Sequence, residues 1–263
     1  MLYLTLLAMT LPHAAAVDER ATNHPLRPPA IMRPVDSTYI EEHEVAIDVE
    51  KLKLWTELLG ERPDSLVRLT EKDFVSVAEE LGVEVAALKA VVEIEAGKSH
   101  RGFSAPGMPV INFDLAMFRQ FARRNGVGLS KYSRSHAVVF SRPQTRRYGS
   151  QQAAQHARLE EAMTIDRTTA IQGTFWGMFQ IGGFNWRKCG TESIEEFVTL
   201  MSRSEHDQLE LFARFITNSG LTPYLQKKNW AAFARGYNGP SYARRGYHKK
   251  LAAAYDKYKQ KEE

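Results

Sequence analysis

Two glutamates, Glu93 and Glu95, lie near the end of an amphipathic segment, residues 84–97. At about 100° per residue on a helix, Glu95 shares a face with Leu88 and Val92, whereas Glu93 points the opposite way. An apolar environment makes a carboxyl group costly to ionise, so its pKa should rise and it should hold a proton near neutral pH. A general acid needs that state, which makes Glu95 a candidate catalytic residue. If the helix frays before Glu95, that side chain is an ordinary solvated charge, as Glu93 is expected to be.

Two later segments combine glycines with aromatic residues: GTFWGMFQIGGFNW, residues 173–186, and FARGYNGPSY, residues 233–242. Gln180 lies in the first, and Tyr237 and Asn238 lie in the second. Glycines allow close backbone approach and aromatic rings offer stacking faces, so the two segments predict a cleft for a polar polymer. The glycines expected to approach that ligand are Gly177, Gly182 and Gly183. Either segment alone could also be a turn packed on a core.

The elements that position these side chains are mostly helical. Residues 70–82 open with a threonine, have an acid three positions later and close at a glycine, which predicts a capped helix. Glu84 then lies in the first turn of a second helix, where an acid complements the helix dipole and needs no further role. After residue 97, glycines and prolines predict a small hairpin or loop, with a strand at 110–113. Helical patterns dominate from Met117 onward, so the expected fold class is mainly α with a minor β element.

Positive charge is concentrated in two parts of the chain, although the formal net charge is only +4. Residues 115–159 contain eight arginines, one lysine and no acidic residue, and the charged residues of 227–263 are again mostly Lys and Arg. Such stripes could hold a polyanion, either nucleic acid or an anionic cell-wall polymer, whereas scattered surface charge is the default expectation. Charge alone does not choose among these partners.

The composition fits a soluble protein, with 263 residues and a hydrophobic fraction of 43%. The single cysteine, Cys189, excludes an intramolecular disulfide and is expected to be a buried small hydrophobe. The histidines show no metal-ligand spacing such as His-Glu-x-x-His. Neither a metal nor a cofactor is therefore expected.

Residues 1–16 form an apolar run that ends in small residues, which predicts a secretory signal peptide and an exported protein. Because no Lys or Arg precedes the run, a buried helix or a misplaced start codon are the alternatives. Residues 17–69 contain a proline-rich stretch typical of a tether, followed by one weak helix candidate. No other segment approaches the about 20 apolar residues of a membrane span, so no stable membrane insertion is expected after signal removal.

Several segments, in their order along the chain, resemble the N-acetylmuramidase domain of phage endolysins and related bacterial proteins, within the lysozyme-like superfamily. They are AVVEIEAG, PVINFDLAMF, TFWGMFQIGGFN, FVTLMSRSEHDQLELFARFI and WAAFARGYNGPSY, and the match covers about residues 70–258. The resemblance implies an α+β lysozyme-like domain, assigned to residues 70–263, with a β-hairpin beside the catalytic helix. The implied substrate is peptidoglycan, at the β-1,4 bond between N-acetylmuramic acid and N-acetylglucosamine.

The resemblance also implies roles for two carboxyl groups. The family's Val-Glu-Ser becomes IEA at residues 94–96, so Glu95 matches the acid that protonates the leaving oxygen. The family's Phe-Glu becomes Phe-Asp, so Asp114 matches a second carboxylate that orients water or stabilises the oxocarbenium-like transition state. This aspartate is one methylene shorter than the family's glutamate. The residues implied to line the sugar cleft beside Glu95 are Gln180, Tyr237 and Asn238.

Three other functions fit parts of the pattern. A lytic transglycosylase would cleave the same bond with one acid/base, and its 1,6-anhydro product would differ by one water. A catalytically inactive peptidoglycan-binding protein is a second alternative. A nucleic-acid binder, the third, explains the charge but neither Glu95 on an apolar face nor the glycine-aromatic segments.

The partner expected from these arguments is the peptidoglycan glycan strand, with no nucleic acid, and the expected state is a monomer. Residues 115–159 would then face the acidic lactyl and peptide groups of the glycan, or hold the protein near an anionic wall.

Overall fold

The computed structural model describes residues 68–96, 101–141 and 151–261. The expectations of a signal peptide at 1–16 and of a tether and weak helix within 17–67 concern residues outside these ranges. Across the described ranges, the helices fall short of the length and apolar character that crossing a bilayer requires.

Two consecutive helices open the described chain, as the sequence pattern predicts. Helix α1 spans Glu71–Leu81; the backbone N–H and hydroxyl of Thr70 both donate to the Asp73 carboxylate at its start. It ends at Gly82, which has the left-handed φ of 62° that favours glycine. Helix α2 follows over Val85–Glu95.

A small β structure follows α2, as expected. Strands β1 (Phe103–Ala105) and β2 (Met108–Pro109) form an antiparallel hairpin. A second, three-stranded antiparallel sheet has the order β3 (Ile111–Phe113), β4 (Thr174–Trp176) and β5 (Ile181–Gly182). The first glycine-aromatic segment therefore supplies two of its strands and the turn between them.

The remaining described chain is mainly helical. The α-helices are α3 (Leu115–Arg124), α4 (Ala137–Phe140), α5 (Gln152–Ile165), α6 (Arg167–Gln172), α7 (Ile194–Arg203), α8 (Glu205–Asn218), α9 (Thr222–Gln226), α10 (Trp230–Asn238) and α11 (Tyr247–Lys259). Short 3₁₀ helices span Ser130–Tyr132, Gly183–Cys189 and Pro240–Tyr242. The mainly helical fold class predicted from the sequence is confirmed.

The C-terminal helix α11 packs along α2 and is joined to it by ion pairs. From α11, Lys259 reaches the Glu84 carboxylate at the start of α2, and Lys257 pairs with Glu93 at 2.6 Å. Lys228, which lies between α9 and α10, also pairs with Glu84. These contacts correct two expectations, because Glu93 is paired and not simply solvated, and Glu84 does more than complement a helix dipole. The hydrogen bond from Lys228 is the main cause that lowers the pKa of Glu84 to about 2.

The core lies between these helices and the three-stranded sheet. Trp176 and Phe179 are fully buried, and the Phe179 ring stacks on Phe212 of α8 with centroids 4.3 Å apart. Cys189 is also fully buried, and this burial raises the pKa of its thiol to about 12. The prediction that Cys189 is a buried side chain is confirmed.

Candidate active site

Glu95 is the last residue of α2 and is only 4% exposed. Its helix buries Leu88 and Val92 on the same face, as the spacing predicts. Burial raises the pKa of Glu95 from 4.5 to about 7, while the Asn238 hydrogen bond and then the positive charge of Lys250 act to lower it. Its Oε2 atom has no hydrogen-bond partner among the described residues.

Asn238 lies at the end of α10, and its Nδ2 donates a 2.9 Å hydrogen bond to Glu95 Oε1. The preceding residue, Tyr237, is buried, and its hydroxyl donates to the backbone carbonyl of Phe179 at 3.1 Å. Burial raises the pKa of Tyr237 well above its ordinary value, and the nearby Glu95 charge acts in the same direction. The Tyr237 hydroxyl therefore helps to hold the site together from within, because its proton is donated to a backbone carbonyl.

Gln180 lies in the turn between β4 and β5, directly after Phe179. It has a left-handed φ of 47°, which is uncommon for a residue other than glycine. Its side-chain amide donates to the carbonyls of Gly177 at 2.8 Å and Val110 at 3.4 Å. Its Oε1 atom is buried without a described hydrogen-bond partner. The structure thus links Gln180, through Phe179 and Tyr237, to the Glu95–Asn238 pair.

Asp114 does not join this chain of contacts. It precedes α3 and caps it, because its Oδ1 accepts from the backbone N–H groups of Ala116 and Met117 at 2.8 and 3.0 Å. No hydrogen bond joins it to Glu95 in the described part of the chain.

The glycines of the segment 173–186 have a packing role inside the protein that was not expected from the sequence. Gly177 has a φ of 68°, and a Cβ there would lie 2.8 Å from the side chain of Gln208. A Cβ at Gly182 would meet a neighbouring aromatic ring, and one at Gly183 would meet a backbone carbonyl of α6. The packing of the protein itself, without any ligand, accounts for glycine at these positions.

The Arg-rich residues 115–159 do not form one continuous basic face. Arg158 is buried and donates to the carbonyls of Val139 and Ser141. The exposed cations of this part include Arg119 and Arg123 on α3, while the arginines within 142–150 lie outside the described residues. Of these cations, Arg158 is therefore used inside the protein, and a smaller set that includes Arg119 and Arg123 is exposed.

Two buried side chains at the start of α8, Glu205 and Gln208, connect distant segments and were not identified from the sequence. The Glu205 carboxylate accepts from the backbone N–H of Gly102 at 3.0 Å. Gln208 donates to the carbonyl of Gly102 at 3.2 Å and accepts from the N–H of Met178 at 2.8 Å. Gln208 therefore joins Gly102, directly before β1, to the turn that contains Gln180.

The sequence does contain a signal for Gln208. It shares one helical face with Leu211 and Phe212, which are fully buried. The same face argument that identifies Glu95 would therefore have placed Gln208 inside the protein. It was missed because a polar residue in the first turn of a helix is usually exposed.

Gln208→Leu is expected to destabilise the fold by about 3 kcal/mol, because it leaves buried backbone groups of Gly102 and Met178 without partners. Denaturant unfolding measures the difference. Gln120→Leu on α3 is the control, since Gln120 is partly exposed and makes no side-chain hydrogen bond among the described residues. A loss no larger than that of the control would contradict the bridging role of Gln208.

Glu95→Gln is expected to make the folded protein more stable near pH 8 and to change its stability little near pH 4. The folded-state pKa of about 7 lies above the ordinary 4.5, so the wild type loses stability as the pH rises through that window. At about 1.4 kcal/mol per pKa unit, the loss approaches about 3 kcal/mol above it. Denaturant titrations at both pH values measure the difference, and a pH-independent difference would contradict a buried, protonated carboxyl.

Within the described ranges, no group of three or more His, Cys, Asp or Glu side chains is arranged to hold a metal ion. The reactive group that the site provides is the Glu95 carboxyl group, which holds its proton near neutral pH. A partner amide binds one of its oxygens, and the other oxygen makes no hydrogen bond within the described protein.

A mainly helical, lysozyme-like domain with a buried carboxyl at the end of a helix defines the structural class. The family model for N-acetylmuramidase matches residues 84–259, which is more than half of the chain. The chain belongs to the N-acetylmuramidase family. It is also similar to the crystal structure of Burkholderia AP3 phage endolysin, at 36% sequence identity and a TM-score of 0.63 over 80% of this chain and 78% of that chain. A search of curated proteins found no match.

Proposed function

We propose that the protein is a peptidoglycan hydrolase that cleaves the β-1,4 bond between N-acetylmuramic acid and N-acetylglucosamine, with Glu95 as the general acid. The observation that carries the proposal is the buried environment of the Glu95 carboxyl group. Its pKa is raised to about 7 by burial, and its Oε2 has no hydrogen-bond partner among the described residues. Family membership supports the choice of substrate.

The hydrogen bond from Asn238 determines which oxygen of Glu95 carries the proton. Because Asn238 Nδ2 donates to Oε1, that oxygen acts as an acceptor and the proton belongs on Oε2. From Oε2 it passes to the glycosidic oxygen as the bond to the sugar carbon breaks. The same amide then stabilises the carboxylate that remains.

Substrate contacts are proposed for the unpaired acceptors near Glu95. Gln180 Oε1 and Asn238 Oδ1 are buried without described partners, and the hydroxyl and acetamido N–H groups of a glycan are suitable donors. Tyr237 positions Asn238 from within the protein and is not assigned a sugar contact.

Asp114 is proposed as the second carboxylate, on the resemblance to the family. With Oδ1 engaged in the helix cap, its Oδ2 would orient water or stabilise positive charge. Burial lowers the pKa of the Arg158 guanidinium, while the negative charge of Asp114 acts to raise it.

A lytic transglycosylase is the second candidate function, because the described contacts leave Asp114 apart from Glu95. That reaction needs one acid/base and no second carboxylate. Both functions act on the cell wall. Export of the protein to the wall remains a prediction from residues 1–16.

Product analysis tests the proposal. Purified peptidoglycan is digested, the products are reduced with borohydride, and their masses are measured. We expect reduced N-acetylmuramic acid at the new chain ends. Reduced N-acetylglucosamine would contradict the assigned bond, and products lighter by one water, resistant to reduction, would establish the transglycosylase reaction.

A further inference from the structure

The part of the chain beside Glu95 carries positive charge with no acidic residue to balance it. From residue 211 to residue 255 there is no Asp or Glu. Six cations in this stretch form no ion pair among the described residues, and the five that follow residue 230 are Arg235, Arg244, Arg245, Lys249 and Lys250. We call these five residues the cationic rim. Lys228, in the same stretch, does pair with an acid, Glu84.

Two members of the cationic rim, Arg235 and Lys250, are tied to the proposed proton donor. Arg235 precedes Asn238 by one helical turn on α10, and Asn238 contacts Glu95. Lys250 is close enough to Glu95 for its charge to influence that carboxyl, and its Nζ lies 5.6 Å from the centroid of the Tyr247 ring. Arg244 and Arg245 lie in the connection between the 3₁₀ helix Pro240–Tyr242 and α11.

This arrangement is unfavourable in the protein alone. Lys249 and Lys250 lie in the first turn of α11, where the helix dipole disfavours cations, and no acid occupies that turn. The neighbouring like charges also repel one another. A bound anion would relieve both effects.

We propose that the cationic rim binds the free carboxylates of peptidoglycan stem peptides, so that the preferred substrate is glycan that still carries its peptides. This inference rests on the proposed function. The stem peptide is attached to the lactyl group of N-acetylmuramic acid, one of the two sugars at the cleaved bond. Its carboxylates therefore accompany the scissile bond into the site.

The test compares two preparations of one peptidoglycan that is free of wall phosphate polymers. In the second, carbodiimide coupling to methylamine converts the carboxylates to neutral amides. Release of reducing ends gives KM and kcat for the wild type and for the double variant Arg244→Gln/Arg245→Gln. A double variant of exposed cations elsewhere, Lys72→Gln/Lys188→Gln, is the charge-matched control.

On native peptidoglycan, the rim variant is expected to raise KM about fivefold with little change in kcat, since two exposed ion pairs are lost. The control should match the wild type, and added salt should remove the advantage of the wild type over the rim variant. On the amidated preparation, all three proteins should have the same, higher KM.

Three results would overturn the inference. One is an equal wild-type KM on native and amidated glycan, and another is a dependence on the rim that is present only when wall phosphate polymers are retained. The third is a KM increase in Arg119→Gln/Arg123→Gln on α3 and none in the rim variant. Failure of the proposed function is distinct, because the wild type would then release no reducing muramic acid ends from any preparation.

Discussion

Glu95→Gln is expected to lower the rate of glycan cleavage about 10³-fold, within the range that proton transfer contributes to catalysis. The amide keeps the size of the carboxyl and can still accept the Asn238 hydrogen bond, so the folded structure should be retained. What it lacks is the proton on Oε2. Reducing-end release from purified peptidoglycan measures the rate, and circular dichroism checks the fold.

Glu93→Gln is the matched control for this change, since it makes the same substitution on the opposite side of the same helix. Glu93 is partly exposed and pairs with Lys257, and an exposed ion pair contributes at most about 1 kcal/mol. The control should therefore keep nearly the full rate. Equal losses in the two variants would contradict the assignment of Glu95.

Asp114→Asn is expected to lower the rate about 10²-fold without unfolding the protein. Asparagine caps a helix as well as aspartate does, so the hydrogen bonds from Ala116 and Met117 can persist. Only the negative charge is removed, and a loss of rate therefore reports on charge and not on the cap. The measurement is the initial rate on purified peptidoglycan at fixed pH.

Asp166→Asn provides the matched control, because Asp166 caps α6 by accepting from the N–H of Thr169. It should retain the wild-type rate. An undiminished rate in Asp114→Asn would mean that Asp114 serves only as the cap of α3. Anhydro products together with that result would assign the transglycosylase reaction to the protein.

The parts of the site that the sequence predicts are those set by local geometry. The burial of Glu95 follows from the helical period and its apolar neighbours. The capped α1, the hairpin and the strand near 110–113 follow from glycine, proline and capping residues, whose preferences act over a few positions. Their positions in the structure match the expectation for that reason.

The parts that sequence reasoning missed depend on contacts between distant segments. The family resemblance, and nothing local, places Asn238 beside Glu95. Nothing in the sequence shows that Gln208 joins Gly102 to Met178. The same limit explains the glycines at 177 and 183, whose neighbours Gln208 and Ile171 come from other elements. The expectation that Arg158 belongs to an exposed basic stripe failed because its charge is used inside the protein, on backbone carbonyls.

The pH dependence of kcat/KM on soluble peptidoglycan fragments tests most directly whether Glu95 is the proton donor. Since the proton must be present on a carboxyl with a pKa of about 7, kcat/KM should fall about tenfold per pH unit above that value. In Asn238→Ala the fall should begin at higher pH, because the lost hydrogen bond acts to lower the pKa. A wild-type profile that stays flat from about pH 6 to about pH 9 would contradict the account.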